Sequence, residues 1–452
     1  MADYDLILRR GTVVRPEGPA LLDLGVWDRK ITAIEPDLCG SALADVDVSN
    51  RWIYPGVIDP HVHLNEPGRT DWEGIETGTR ALAAGGCTSF FDMPLNSAPP
   101  VLDVAALEAK RALLEKKSLC DFAIWGGLTP RNLDELRPLA AAGAIGFKAF
   151  LSSSGTDDFP RTDTGTLLEG MKIAAEVGLV VAVHAENEAI VSHLAQQAIS
   201  RGCVTMRDYL QSRPAVAEWE AIQRVILLAE ETACAVHVVH VSTSRGARLI
   251  AEARQRGVNV TGETCPHYLI LTDEDAERIG ALAKCAPPLR PAADRDALWG
   301  HLLTGDLDWI ASDHSPAPPQ MKTGTDFFRI WGGISSAQHA FPLVLGESAS
   351  QANPIAPARL ADLFARSAAR RFRLAARKGS IEIGQDADFA VVNPEAHETI
   401  TNESLHYRHR QTPYLGRRLR TAITRTFLRG EVTYENGNFP GPPRGEMLRW
   451  SM

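Results

Sequence analysis

The residues best suited to chemistry are histidines, one lysine and one aspartate, each closing a short apolar run. His61-Val62-His63 follows the run Trp52 to Ile58. Residues two apart on an extended segment project to the same side, so these imidazoles could share one metal ion. Such a pair is weak evidence alone. The deciding residues are Lys148 in Gly146-Phe147-Lys148-Ala149-Phe150, His184 in Val183-His184-Ala185-Glu186, His240 in Val239-His240-Val241-Ser242 and Asp313 in Ser312-Asp313-His314. A charged, unpaired ammonium inside an apolar strand is costly. Deprotonation and reaction with carbon dioxide would relieve it, giving a carbamate whose two oxygens can bridge two metals. A neutral amine, or one paired with Asp313, would explain the burial but not the four histidines. The other histidines fit packing better. His237 lies three residues from His240, which on a strand turns it the opposite way, toward surrounding helices. His193, His301, His339, His397, His406 and His409 are dispersed, whereas His267 and His314 lie in loops where they could donate to ligands from behind.

For these side chains to meet, the runs carrying them must lie side by side. Eight runs can be counted: Trp52 to Ile58, Cys87 to Met93, Phe122 to Trp125, Ala144 to Phe150, Leu179 to Val183, Ala235 to Val241, Val258 to Thr261 and Trp309 to Ala311. Helix-compatible stretches such as Val101 to Lys117, Leu167 to Val177 and Trp219 to Glu230 follow them. This alternation predicts an α/β fold, a (β/α)8 TIM-type barrel whose strand ends converge on one site. An open doubly wound sheet is the alternative, but no glycine-rich phosphate fingerprint follows the first run. Short β-type runs return in 375–452 and also fill 1–54. The amino-terminal piece has too few strands to bury a core, so both ends are expected to pair into one small β-sandwich beside a barrel spanning 55–374.

Composition narrows the function classes. The 452 residues hold 47 Lys+Arg against 56 Asp+Glu, a net charge of −9, with no basic run to suit nucleic acid or anionic lipid. No apolar stretch reaches the roughly 18 residues of a spanning helix, and the acidic start is unlike a secretory signal. A cytoplasmic protein with no nucleic-acid or membrane partner is expected. Seven cysteines without a C-x-x-C read as reduced thiols.

The string Pro55-Gly56-Val57-Ile58-Asp59-Pro60-His61-Val62-His63-Leu64, with Glu73-Gly74, Gly78-Thr79-Arg80-Ala81 and Gly85-Gly86-Cys87-Thr88, resembles the cyclic amidohydrolases of the dihydroorotase, hydantoinase and allantoinase group. Gly146-Phe147-Lys148, His184-Ala185-Glu186-Asn187, Thr261 to Tyr268, Pro287-Pro288-Leu289-Arg290, Ser312 to Pro316 and Gly379 to Asp388 extend the likeness along the chain. The resemblance implies two divalent ions per subunit, zinc first, with iron, cobalt or manganese as alternatives. His61, His63 and Asp313 would hold one ion and His184 and His240 the other, bridged by carboxylated Lys148. Asp313 would move the proton. A homotetramer is also implied.

Three details resemble the allantoinase branch. Dihydroorotases carry an Arg two residues after the second metal histidine, to meet a substrate carboxylate; Asn65 stands here. Asp92-Met93-Pro94-Leu95-Asn96-Ser97 matches the allantoinase form, and Asn96 offers both donor and acceptor to a ring amide. Lys284-Cys285-Ala286-Pro287-Pro288, and Ser312 to Pro316 followed by Trp331-Gly332-Gly333-Ile334, complete the pattern. Asn96 and Ser315 are the candidate substrate contacts, and the expected substrate is a small cyclic ureide. Hydantoinases place a Tyr five residues after the bridging Lys, where this chain has Ser153. Residues 152–161 are either a mobile lid or a plain surface loop. Dihydroorotase or hydantoinase is the alternative activity. A non-catalytic scaffold of the same fold would lack the six ligands.

Overall fold

The computed structural model describes residues 2–450. Its central element is a ring of parallel strands in sequence order: Val57–Val62, Cys87–Asp92, Asp121–Ile124 continuing as Gly126–Gly127, Gly146–Phe150, Val180–His184, Val236–Val238, Val260–Thr264 and Trp309–Ile310. The Ile145 amide donates to the Ile124 carbonyl (2.9 Å), joining third strand to fourth, and the His63 amide donates to His314 O (2.8 Å), closing the ring. Helices cover the outer face, so the strands are buried on both sides and read as continuous apolar runs. Side-chain caps start several of these helices. Asp103 accepts from Ala106 N, Asp163 from Thr166 N, Asn187 from Ile190 N and Thr243 from Gly246 N.

Ile58, Phe91, Trp125, Val180 and Trp309 fill the barrel interior. Phe372 meets Phe91 and Trp125 edge-on from the amino-terminal end. That end is therefore a packed core, and only the carboxyl ends of the strands remain free to form a site.

Both chain ends build the sandwich. Its eight-stranded sheet runs in the order Glu431–Glu435, Ala422–Leu428, Phe389–Asn393, Trp52–Pro55, Tyr4–Arg15, Gly18–Trp27 and Lys30–Glu35, with Ala42–Asp47 also paired to Tyr4–Arg15. The apolar run Trp52 to Ile58 is thus two strands, one in each sheet. Gly56 separates them at a point where a Cβ would lie 2.2 Å from Thr88 Oγ1. Residues 400–414 leave the sandwich, and Ile400, Leu405, Tyr407 and Tyr414 join the barrel's core. The chain end does likewise, with Phe122 N donating to Glu446 O and Leu448 N to Phe122 O. Among the described residues no helix is long and apolar enough to cross a membrane.

A buried charge cluster joins the two layers. Lys378 Nζ donates to Asp121 and Asp388, both at 2.6 Å, and Arg429 also pairs with Asp121. Asp121, Asp386 and Asp388 are close enough to hold a cation, but Lys378 already occupies that role. Removing one partner of a buried pair strands the other charge. Asp121→Ala is therefore expected to cost about 3–5 kcal/mol of stability, read from the denaturant midpoint. Breaking the exposed Lys172–Glu169 pair should shift that midpoint far less.

Candidate active site

At the carboxyl ends of the strands lies a cavity of about 440 Å³. His61, His63, His184, His240 and Asp313 reach its wall, and Lys148 lies behind it. His61 Nε2 and His63 Nε2 approach the same oxygen, Asp313 Oδ1, at 3.2 and 3.6 Å. On the other side, His184 Nδ1 and His240 Nε2 are 3.0 Å apart. The Lys148 amine lies 5.0 Å from the centroid of the Phe150 ring, which stacks on His184 at 4.6 Å. The structure thus brings all six predicted side chains to one end of the barrel.

Backbone geometry aims two of them. His240 (φ 42°) and Asp313 (φ 43°) are left-handed, a conformation that costs a non-glycine residue about 1–3 kcal/mol. Each lies just beyond its strand, which ends at Val238 or Ile310, and the reversal breaks the alternation of side chains. This corrects the expectation for His237. Its strand ends at Val238, so His237 and His240 are not on opposite faces of one continuous strand. His237 is buried, stacked on Trp309 at 4.2 Å, and its Nε2 meets Glu263 Oε2 at 3.0 Å.

Glu263 is the hub that sequence reasoning missed. One oxygen takes His61 Nδ1 at 2.5 Å; the other takes His237 Nε2 and Trp309 Nε1. Glu186 serves the opposite side, accepting from His184 Nε2 (2.8 Å) and from Arg213. An ionised carboxylate only accepts, so His61 carries its proton on Nδ1 and His184 on Nε2. Their free lone pairs then face Asp313 and His240. A lone pair against a carboxylate oxygen at 3.2 Å has no hydrogen to share; a cation between them resolves the contact.

Electrostatics agree with that chemistry. Burial pushes His63 and His184 below the usual imidazole range and His240 well below it, which favours neutral ligands. Burial alone would raise the Asp313 carboxyl; charged His61 and His63 would hold it at about 2, and with the imidazoles neutral a bound divalent ion would supply that positive charge instead. Burial lowers the Lys148 amine to about 8 against the pull of Glu263 and Asp313. Among the described residues, Lys148 Nζ and His240 Nδ1 have no hydrogen-bond partner. A buried amine without an acceptor beside converging imidazoles suits a carboxylated lysine at a metal pair, and the donor set fits such a group.

The remaining candidates divide. Asn96 lines the cavity with its amide 3.5 Å from His63 Nδ1, and Ser315 also lines it. Asn65 is buried outside the lining, donating to Pro316 O at 3.3 Å. His267 is buried within ligand distance of Asp313, whereas His314 accepts from Ser336 N and stacks on Tyr407. Ser153 to Gly155 line the cavity, and their loop is pinned by Arg69–Asp158 at 2.8 Å and by Ser154 Oγ on Phe159 O. Three cationic residues also line the cavity, Arg213, Lys284 and Arg329, from segments beyond the strand ends.

The amidohydrolase family model matches residues 52–433. The chain belongs to the amidohydrolase family. It is 52% identical over 99% of its length to an allantoinase of Rubrobacter xylanophilus, 98% of which is covered. It is 50% identical to one of Deinococcus radiodurans, with 98% of each chain covered. Within the family it therefore falls among the allantoinases and is a cyclic amidohydrolase. Among solved structures, the L-hydantoinase (dihydropyrimidinase) of Arthrobacter aurescens superposes with a TM-score of 0.96 at 31% identity, covering 99% of this chain and 100% of that one. The His61, His63 and Asp313 cluster is the metal-ion site this membership leads one to expect.

Outer partners of metal-bound histidines govern affinity. Glu263→Gln should weaken metal retention roughly 10–100-fold in chelator competition while the protein stays folded. Equal retention in the variant and the parent would show that Glu263 does not orient His61.

Proposed function

We propose that this chain opens the hydantoin ring of allantoin to give allantoate. In this reading His61, His63 and Asp313 hold one divalent ion, His184 and His240 hold a second, and Lys148 bridges them as a carbamate. Zinc suits the mixed nitrogen and oxygen donors. The observation that carries the reading is the side-chain arrangement itself: two imidazole nitrogens converging on one Asp313 oxygen, the His184 and His240 nitrogens 3.0 Å apart and an unpaired amine nearby, in a chain with full-length allantoinase relatives.

Such a centre, when bound, polarises the ring carbonyl and lowers the pKa of a water. The protein's own groups do the rest. The water oxygen adds to the carbonyl carbon, and Asp313, held ionised at neutral pH, takes the proton at a carboxylate oxygen. As the ring C–N bond breaks, Asp313 passes that proton to the departing nitrogen. The new carboxyl group releases the water's second proton to solvent and leaves as a carboxylate, and the nitrogen leaves as the end of a ureido group. Glu263 and Glu186 keep His61 and His184 in one tautomer throughout.

A neutral ring is favoured because the cavity's cations are already committed. Arg213 is paired with Glu186, Lys284 donates to Ile330 O, and Arg329 lies on the exposed rim 3.5 Å from Asp326. Asn96 and Ser315 remain to meet amide groups. A hydantoinase activity is the second reading, favoured by the backbone likeness to the Arthrobacter enzyme. A homotetramer belongs to the same proposal and rests on the family resemblance. A cytoplasmic setting is supported by seven free cysteines.

Substrate choice tests the reading. With metal-loaded protein, kcat/KM for allantoin should exceed that for dihydroorotate by at least about tenfold, since an unmet charged partner costs about 1.5–3 kcal/mol, and should also exceed that for 5-substituted hydantoins, which lack the ureido group that polar side chains of the cavity can meet. A better rate on either competitor would overturn the allantoin assignment.

A further inference from the structure

The mechanism leaves two enclosed lysines unused. Lys110 and Lys378 are neutralised by aspartates, and Lys148 has its own role. Among the described residues, Lys284 and Lys322 have no carboxylate within ion-pair distance, and neither has a part in the chemistry. Both direct their ammonium groups at main-chain carbonyls, chiefly those of one segment. Lys284 Nζ donates to Ile330 O and lies 4.5 Å from the Tyr209 ring centroid. Lys322 Nζ donates to Gly333 O at 2.6 Å, Trp331 O at 3.0 Å and Ala281 O at 3.3 Å, using all three of its hydrogens.

That segment is a wall of the cavity, with Ile330, Trp331, Gly332 and Gly333 all on its surface. Apart from a bridge at Ile334, residues 323–334 have no helix or strand ladder to hold them. Trp331 N donates to Met321 O and Gly333 N to Lys284 O, so each lysine region also receives a bond from the wall. Gly333 (φ 133°) passes so close to Ser315 that a Cβ would lie 2.4 Å from Ser315 O. The Trp331 ring meets Trp72 edge-on at 4.8 Å and would touch a Cβ at Gly155. The wall thus supports the loops after the first and fourth barrel strands.

We propose that Lys284 and Lys322 are positioning residues that clamp Ile330–Gly333 as a preformed wall, and that this wall fixes the fit of a small neutral cyclic ureide. The ligand class rests on the function proposed above; the clamp does not. Charge-assisted donors to carbonyls are about twice as strong as neutral ones. Burial, reinforced by neighbouring cations, brings both amines down to about 7, so either is charged at little cost near neutrality, and either form still donates. A loop without a ladder, held otherwise by a few main-chain bonds and the packing of Trp331, opens more readily once the lysine bonds are removed, and an open wall loses ligand affinity before it loses chemistry.

The test joins backbone amide exchange to kinetics. In the parent, Trp331 and Gly333 amides should be well protected despite lying outside helices and strands; rapid exchange there would overturn the clamp without any variant. In Lys322→Met those amides should exchange about tenfold faster, and KM for allantoin should rise about tenfold while kcat and metal content change far less. Lys322→Gln, which keeps two N–H donors without the charge, should fall between. Lys284→Met should speed exchange at Gly333. Unchanged exchange in Lys322→Met, or kcat and metal content falling while KM stays fixed, would overturn the proposal. If the parent prefers another ring, the allantoin reading fails, and the clamp is judged by exchange and by KM on that ring.

Discussion

An amine buried in the fourth barrel strand with no hydrogen-bond acceptor is the constraint around which this site is organised. Lys148 extends from a strand whose residues are all buried, and among the described residues nothing receives its hydrogens. Burying an unpaired ammonium is expensive, and the depressed amine pKa is the direct consequence. On the function proposed here, the cost is removed when the amine becomes a carbamate and gains metal partners. The same strand supplies Phe150, whose ring lies on His184 and fixes the plane of that imidazole.

The rest of the site orients lone pairs toward that point. Glu263 and Glu186 approach from opposite sides, each fixing the proton of one histidine on the nitrogen away from the centre. Their pKa shifts have a common pattern: burial opposes ionisation, while paired cations and imidazoles overcome it. Strain is spent at His240 and Asp313, whose left-handed backbones turn side chains into the cavity. The packed amino-terminal end of the barrel and the Lys378 cluster beneath it give the rigidity that can hold such residues in place.

Much of this was legible in the sequence for one reason. In strands covered on both faces, a lone polar residue stands out against an apolar run, so Lys148, His184, His240 and Asp313 could be read directly. Glu263 was hidden because its strand, Val260–Thr264, includes Thr261, Gly262 and Thr264 and so lacks an apolar background. His237 was misplaced because strand alternation was carried through a left-handed residue that sequence does not mark. Arg213 and Lys284 reach the cavity from segments beyond the strand ends, where no periodicity assigns a direction. The two ends of the chain were recognisable as β structure. Their returns to the barrel at Tyr407, Tyr414 and Leu448 depend on tertiary packing alone.

The central claim is that Lys148 carries a carbamate between two metal ions. The most direct measurement is diffraction from zinc-loaded crystals with data collected across the zinc absorption edge. The account predicts two anomalous peaks, one among His61, His63 and Asp313 and one beside His184 and His240, with density for a carboxylated Lys148 side chain joining them. A single peak, with Lys148 ending in an unmodified amine in enzyme that is fully active, would contradict it.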